Sequence, residues 1–194
     1  DNVLNTGYYK YLVIEVVLAL FAPHIFLKNW RISTYVVELD TTIFYGANDL
    51  VLFFVWLKFY IVLRTKYYTS KFCAPQSQRV CTLYGIQSDI EFWLKSEFQE
   101  KANTTLITLF VFFLLVFAYL ERILERPTSY YTEPLQNFNS YFNSVWFTII
   151  TFCTVGYGEY WAKSLPGKLF CFLVMFIGCI LTSLFVVSLT SALM

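Results

Sequence analysis

The sequence predicts an all-α membrane protein of four transmembrane helices plus one short re-entrant helix. Three observations predict it: an apolar composition, four stretches long enough to cross a bilayer, and a fifth, shorter one that runs into a glycine-containing loop. Of the 194 residues 58% are hydrophobic, 21% aromatic and only 14% charged. A soluble domain could not hide that much apolar surface from water. The net charge is +1 and the 14 Lys and Arg form no dense run, which leaves no electrostatic footprint for nucleic acid.

A bilayer core about 30 Å thick needs about 20 mostly apolar residues per helix. Four stretches, roughly 8–27, 47–65, 104–123 and 167–194, approach that requirement. Residues 139–152 are apolar but too short to span, and they directly precede the glycine motif. This predicts a re-entrant helix, tolerated at membrane depth only where protein surrounds it.

Between the second and third spans lie Lys66, Lys71, Arg79, Lys95 and Lys101, whereas the loop at 28–46 holds only Lys28 and Arg31. The positive-inside tendency therefore places 66–103 in the cytoplasm. Both chain ends then lie inside, 28–46 and 124–165 lie outside, and the re-entrant helix enters from the outer face. The sequon at Asn103 falls on the cytoplasmic side and is expected to stay unglycosylated. The chain opens Asp1-Asn2-Val3 without Met and stops at Met194 inside an apolar run, so it reads as a fragment with a cytoplasmic continuation.

The organisation expected is 1–65 as two helices of a peripheral, sensor-like domain, 66–103 as a cytoplasmic helical linker and 104–194 as a pore domain. In the linker, Leu83, Ile86, Ile90, Trp93, Leu94 and Phe98 recur at spacings of three and four, interrupted near Gly85. That pattern predicts one or two amphipathic helices, lying on the membrane or docking a partner.

The short helix leads into Thr154-Val155-Gly156-Tyr157-Gly158. Selecting potassium over sodium requires oxygen ligands that replace the ion's hydration shell, and a ring of backbone carbonyls from four loops supplies them. Thr154, Val155, Gly156 and Tyr157 are the candidate K+ ligands, with the Thr154 hydroxyl as the innermost ring. Gly156 and Gly158 supply backbone angles that side chains forbid. One loop makes a quarter of such a ring, so the expected unit is a cyclic tetramer with potassium-channel architecture.

Asn139 or Ser140 is expected to cap the short helix, whose other end points its negative partial charge at the inner mouth of the filter. Trp146, Phe147, Tyr157 and Trp161 are expected to form an aromatic cuff around the filter, with Glu159 beside it.

A voltage sensor needs several basic residues spaced by three on one span. The second span offers only Lys58 and Arg64. Weak voltage dependence follows. Glu15 and Lys58 lie at matching depths, which predicts an ion pair between the first two spans. In the last span Thr182, Ser183, Phe185, Val186 and Ser188 are expected to line the inner pore below Gly178, itself either a bend or a close packing point.

Catalysis is not indicated. No metal-ligand cluster, nucleophile-base pair, phosphate loop or calcium-binding loop is present in the sequence. The five cysteines, Cys73, Cys81, Cys153, Cys171 and Cys179, suggest neither a disulfide framework nor a zinc site. His24, the only histidine, reads as an interfacial residue at a helix end. Glu121 and Glu125 share a helical face beside Arg122 and Arg126 and read as a salt-bridged helix end.

The residues around the filter resemble those of the small- and intermediate-conductance calcium-activated potassium channels. The resemblance is carried by Ile14-Glu15-Val16-Val17, Ala22-Pro23-His24, Asp49, Leu57-Lys58-Phe59-Tyr60, Arg64 and Ser70-Lys71-Phe72. It continues through Arg122, Glu125-Arg126, the run Trp146 to Gly158, and Gly167-Lys168. It covers nearly all of the chain, as the third to sixth transmembrane segments of a six-segment subunit. Glu159 stands where the family has Asp and Ala162 where it has Pro, changes that bear on blockers more than on selectivity.

The resemblance implies a plasma-membrane homotetramer or pseudo-fourfold heterotetramer and a hydrophobic gate near Val186. It also implies calcium gating, indirectly, through calmodulin bound beyond this chain and pushing on 66–103. Two alternatives stay open: a potassium pore gated by another ligand or partner, and a non-conducting membrane subunit that keeps a relic filter.

Overall fold

A computed structural model describes residues 13–16, 22–23, 27–85, 89–132 and 136–193. Most of the first expected span, including Lys10 and His24, lies outside the described residues, as does Ile86. The described residues group into two compact units. One comprises Phe54–Ala102 with the described residues before it up to Pro23; the other comprises the described part of His24–Phe53 and of Asn103–Met194.

The fold is helical with one departure. The loop expected at 28–46 is a β-hairpin, so the prediction of an all-α chain fails there. Strands β1 (Arg31–Val36) and β2 (Thr41–Gly46) pair antiparallel with Ile32 opposite Tyr45 and Val36 opposite Thr41. The reason is local chemistry: both strands are rich in β-branched and aromatic residues, and in β2 burial alternates, with Ile43 and Tyr45 buried and Phe44 exposed. Val36, Ile43 and Tyr45 form a small core of their own. Asp40 closes the turn with φ 49°, a left-handed conformation that Asp tolerates.

Helix α1 (Ala47–Val55) starts at once after β2, with Asp49 in its first turn, where a carboxylate complements the helix dipole. A 3-10 stretch at Trp56–Lys58 separates it from α2 (Phe59–Thr69). The expected span 47–65 is therefore helical throughout but tightened in the middle.

In the linker, α3 (Pro75–Leu83) takes Pro75 in its first turn, where the missing N–H costs nothing. Gly85 then adopts φ 70°, which gives the interruption read from the sequence its cause. Trp93 is buried and meets Tyr67 edge-to-face at 5.7 Å, while Leu83, Ile90 and Leu94 stay exposed.

Helix α4 (Ile90–Thr132) is 43 residues long but carries non-helical angles at Lys101, so it is two helices end to end. The expected 104–123 span lies wholly within its second part. After α5 (Tyr141–Phe152) and the glycine loop comes α6 (Leu165–Leu193). Among the described residues, two of the four expected spans, those in α4 and α6, lie in helices long and apolar enough to cross a membrane.

These helices pack around Phe152, which has no exposed surface and sits in a cluster with Leu114, Phe117, Leu120, Val174 and Leu181. Its ring meets Phe110 at 5.7 Å and Phe117 at 5.8 Å, both edge-on, the arrangement aromatic quadrupoles favour. The base of the short helix is thus clamped between the two long ones.

Candidate functional site: a glycine loop between two membrane-length helices

Ser140 is the N-cap of α5 by backbone position (φ −78°, ψ 129°), yet its hydroxyl makes no capping bond. The helix start is held from outside instead. Arg122 donates to the Asn139 carbonyl from Nη2 at 2.7 Å and Nε at 3.1 Å, and Asn143 Nδ2 donates to the Asn137 carbonyl at 2.7 Å. A charged donor at the chain entry does the positioning that a side-chain cap was expected to do.

At the other end, backbone N–H groups of Cys153 and Val155 reach back to the Ile149 and Ile150 carbonyls, each at 2.9 Å. Positive φ follows at every second residue, Thr154 (56°), Gly156 (59°) and Gly158 (77°). Such alternation lets successive carbonyls turn the same way, and glycine adopts it freely. Thr154, being β-branched, pays of order 1–3 kcal/mol for its left-handed angle, and its hydroxyl donates to the Cys153 carbonyl at 2.7 Å. Residues 153–159 are all exposed in the single chain.

Two of the cuff residues meet. The Trp146 ring stacks on Tyr157 with centroids 6.0 Å apart and planes 18° from parallel, and its Nε1 donates to Glu159 Oε2 at 3.0 Å. Phe147 is buried instead, packed against Phe138 at 5.8 Å. Trp161 turns to Lys163, whose ammonium lies 5.0 Å from the ring centroid, a cation–π contact. Trp146, Tyr157 and Glu159 therefore form one group at the loop, while the contacts of Phe147 and Trp161 go to Phe138 and Lys163.

Glu121 and Glu125 do not form a salt-bridged helix end. Both are buried, and neither pairs with an arginine among the described residues. Glu125 Oε1 accepts from the Ser164 N–H at 3.0 Å and the Ser164 hydroxyl at 2.6 Å, while Oε2 accepts from Thr128 Oγ1 at 3.0 Å. Ser164 in turn caps α6, its hydroxyl accepting from the Gly167 N–H at 3.0 Å. A Cβ at position 167 would run into the Glu125 carboxylate and lie 2.8 Å from Ser164 Oγ. Gly167 is thus the space in which α4 is bolted to α6. Charge spacing pointed the sequence reading at the flanking arginines, and Ser-Leu-Pro-Gly after the loop was the signal for a helix cap that it passed over.

Gly178 is a close packing point: a Cβ there would lie 2.8 Å from Phe152 Cδ1 and 2.9 Å from its Cα. Helix α6 runs through it unbroken. Thr182 bonds back to the Gly178 carbonyl at 2.9 Å, and Val186 is exposed. Ser188, expected to line the pore, is buried and bonds Asn103 Oδ1. It faces Asn103 on α4.

The expected Glu15–Lys58 pair is replaced by Glu15–Arg64. Equal depth was the basis for choosing Lys58, but six residues on a helix turn about 240° away. Depth matched a pair that direction does not allow. Arg64 also lies 5.6 Å from the Tyr68 ring centroid.

A short helix and a left-handed glycine loop, clamped between two membrane-length helices, define a pore-loop type of membrane domain. Residues 104–194 match a family model described as Ion channel. The match supports an ion-channel pore region over that part of the chain, just under half of it, and with it ion-channel function. No curated protein matches the chain.

Proposed function

We propose that this chain is the pore-forming part of a potassium-selective channel that conducts K+ passively as a homotetramer or pseudo-fourfold heterotetramer. The observation that carries the reading is the sequence Thr154–Gly158, placed at the C-terminal end of α5, with positive φ at alternate residues. In this reading four copies bring the carbonyls of Thr154, Val155, Gly156 and Tyr157 and the Thr154 hydroxyl around one axis. Together they replace the shell of water a potassium ion leaves behind. The C-terminal end of α5 adds its partial negative charge, so a cation is favoured without an acidic side chain.

The protein's work is rigidity. Trp146 and Glu159 brace Tyr157 from behind, and the Glu125–Ser164 contact fixes the outer ends of α4 and α6 on either side. Val186 is assigned to a hydrophobic constriction that stops ions by dewetting. The scarcity of basic residues in 47–65 supports weak voltage dependence. Activation by calcium through calmodulin, acting on the 66–103 linker from beyond this chain, and residence in the plasma membrane rest on the resemblance to calcium-activated channels.

The test is Gly156→Ala in the reconstituted full chain. A Cβ at φ 59° is strained whatever the space around it, so the variant is expected to assemble but to lose selective potassium flux. Unchanged selectivity in that variant would remove the filter assignment.

A further inference from the structure

Beside the outer end of α4, within the unit that holds the hairpin, lies a cavity of about 430 Å³. Its wall is of two kinds. Ile43, Leu52 and Ile123 make one side apolar, while Asp49, Arg122 and Arg126 bring three charges to the other. The charges do not cancel each other: among the described residues no ion pair joins Asp49 to either arginine. Arg122 is spent on the Asn139 carbonyl through Nε and Nη2. Arg126 is exposed and makes no ion pair among the described residues. Tyr119, Tyr130 and Tyr131, all exposed, also line it.

We propose that this cavity holds the headgroup of a zwitterionic phospholipid, its phosphate on Arg126, its ammonium between Asp49 and the tyrosine rings, and an acyl chain along Leu52 and Ile123. Three features lead to that class. The Arg126 guanidinium fits the phosphate. The carboxylate and the ring faces fit a substituted ammonium, and a site for a bare anion would not carry Asp49. The apolar wall has no use for a soluble ion, whereas it suits the chain that follows a lipid headgroup.

Position fixes the source. Arg126 follows closely on the last apolar residues of 104–123, the depth at which lipid phosphates lie and where tyrosines gather at the interface. The proposal rests on the membrane reading of α4, not on conduction, so it is tested without ion flux.

The experiment is native mass spectrometry of the detergent-purified full chain titrated with phosphatidylcholine, phosphatidylglycerol or inorganic phosphate. Phosphatidylcholine is expected to be retained in preference to phosphatidylglycerol. Arg126→Gln is expected to weaken it by about tenfold, the loss of one charged hydrogen bond, and Arg126→Lys by less. Asp49→Asn is expected to reverse the preference toward phosphatidylglycerol. Arg126 is exposed, so its variants leave the fold intact, and the melting temperature of each checks this. The proposal is overturned if inorganic phosphate displaces the lipid, if phosphatidylglycerol binds better to the unaltered chain, or if Arg126→Gln retains phosphatidylcholine as tightly.

Discussion

Glu121 and Glu125 are four residues apart on one helix, equally chemical and almost equally buried, at 1% and 0% exposed. Replacing each by leucine is expected to have opposite effects. Glu125 accepts three hydrogen bonds, two of them from Ser164. Leucine there strands the Ser164 N–H and hydroxyl and unfastens α6 from α4, a loss of about 3–5 kcal/mol by analogy with breaking a buried charge contact. Both Glu121 oxygens lack a hydrogen-bond partner among the described residues. Leucine at 121 removes an uncompensated polar group and keeps the volume, so stability is expected to hold or rise by about 1–3 kcal/mol.

The assay is thermal unfolding of the purified full chain, followed by loss of the native size-exclusion peak. For a chain of this size about 1 kcal/mol shifts Tm by roughly 2–4 °C. Glu125→Leu should then melt about 6–20 °C lower and Glu121→Leu no lower than the parent. Equal losses, or a larger loss at 121, would refute the assignment of Glu125 as the bolt between the helices.

Three further outcomes follow from the same geometry. Gly178→Ala forces a methyl against the Phe152 backbone and should cost about 1–3 kcal/mol in the same melt; no change would mean that the helices do not meet there. Glu15→Gln and Arg64→Gln should couple in a double-mutant cycle by about 1 kcal/mol, while Glu15→Gln and Lys58→Gln should be additive. Tyr45 donates to the Leu124 carbonyl at 2.9 Å, and burial pushes its hydroxyl up to about 12. The unfolded tyrosine ionises near 10, so the hairpin's anchorage is complete below that pH and is lost as pH rises from about 10 to about 12, on the order of 3 kcal/mol. Trp30 fluorescence should report that step, and Tyr45→Phe should remove it.

What could be read from the sequence was what local periodicity and backbone chemistry encode. The apolar run at 139–152 appears as Tyr141–Phe152, and the run from 167 appears as a helix from Leu165. Gly85, Gly156 and Gly158 sit at positive φ, where their lack of a side chain matters. The hairpin was also encoded locally, in the β-branched and aromatic residues Ile32, Thr34, Val36, Thr41, Ile43 and Tyr45.

Partners distant in the chain were less legible. Glu125 reaches Ser164 across 39 positions, and no spacing rule connects them. Ser188 looked like a pore-lining residue until its neighbour Asn103, 85 positions away, was in view. Glu15 found an arginine rather than a lysine because helix azimuth is fixed by packing, which one sequence does not state.

The central claim is that the loop at Thr154–Gly158 selects potassium. The most direct measurement is the reversal potential of the reconstituted full chain with potassium on one side of the bilayer and sodium on the other. A current carried by potassium is expected, with a reversal potential displaced far toward the value at which sodium makes no contribution. A reversal near zero, or a folded tetramer that passes no potassium when its gate is open, would contradict it.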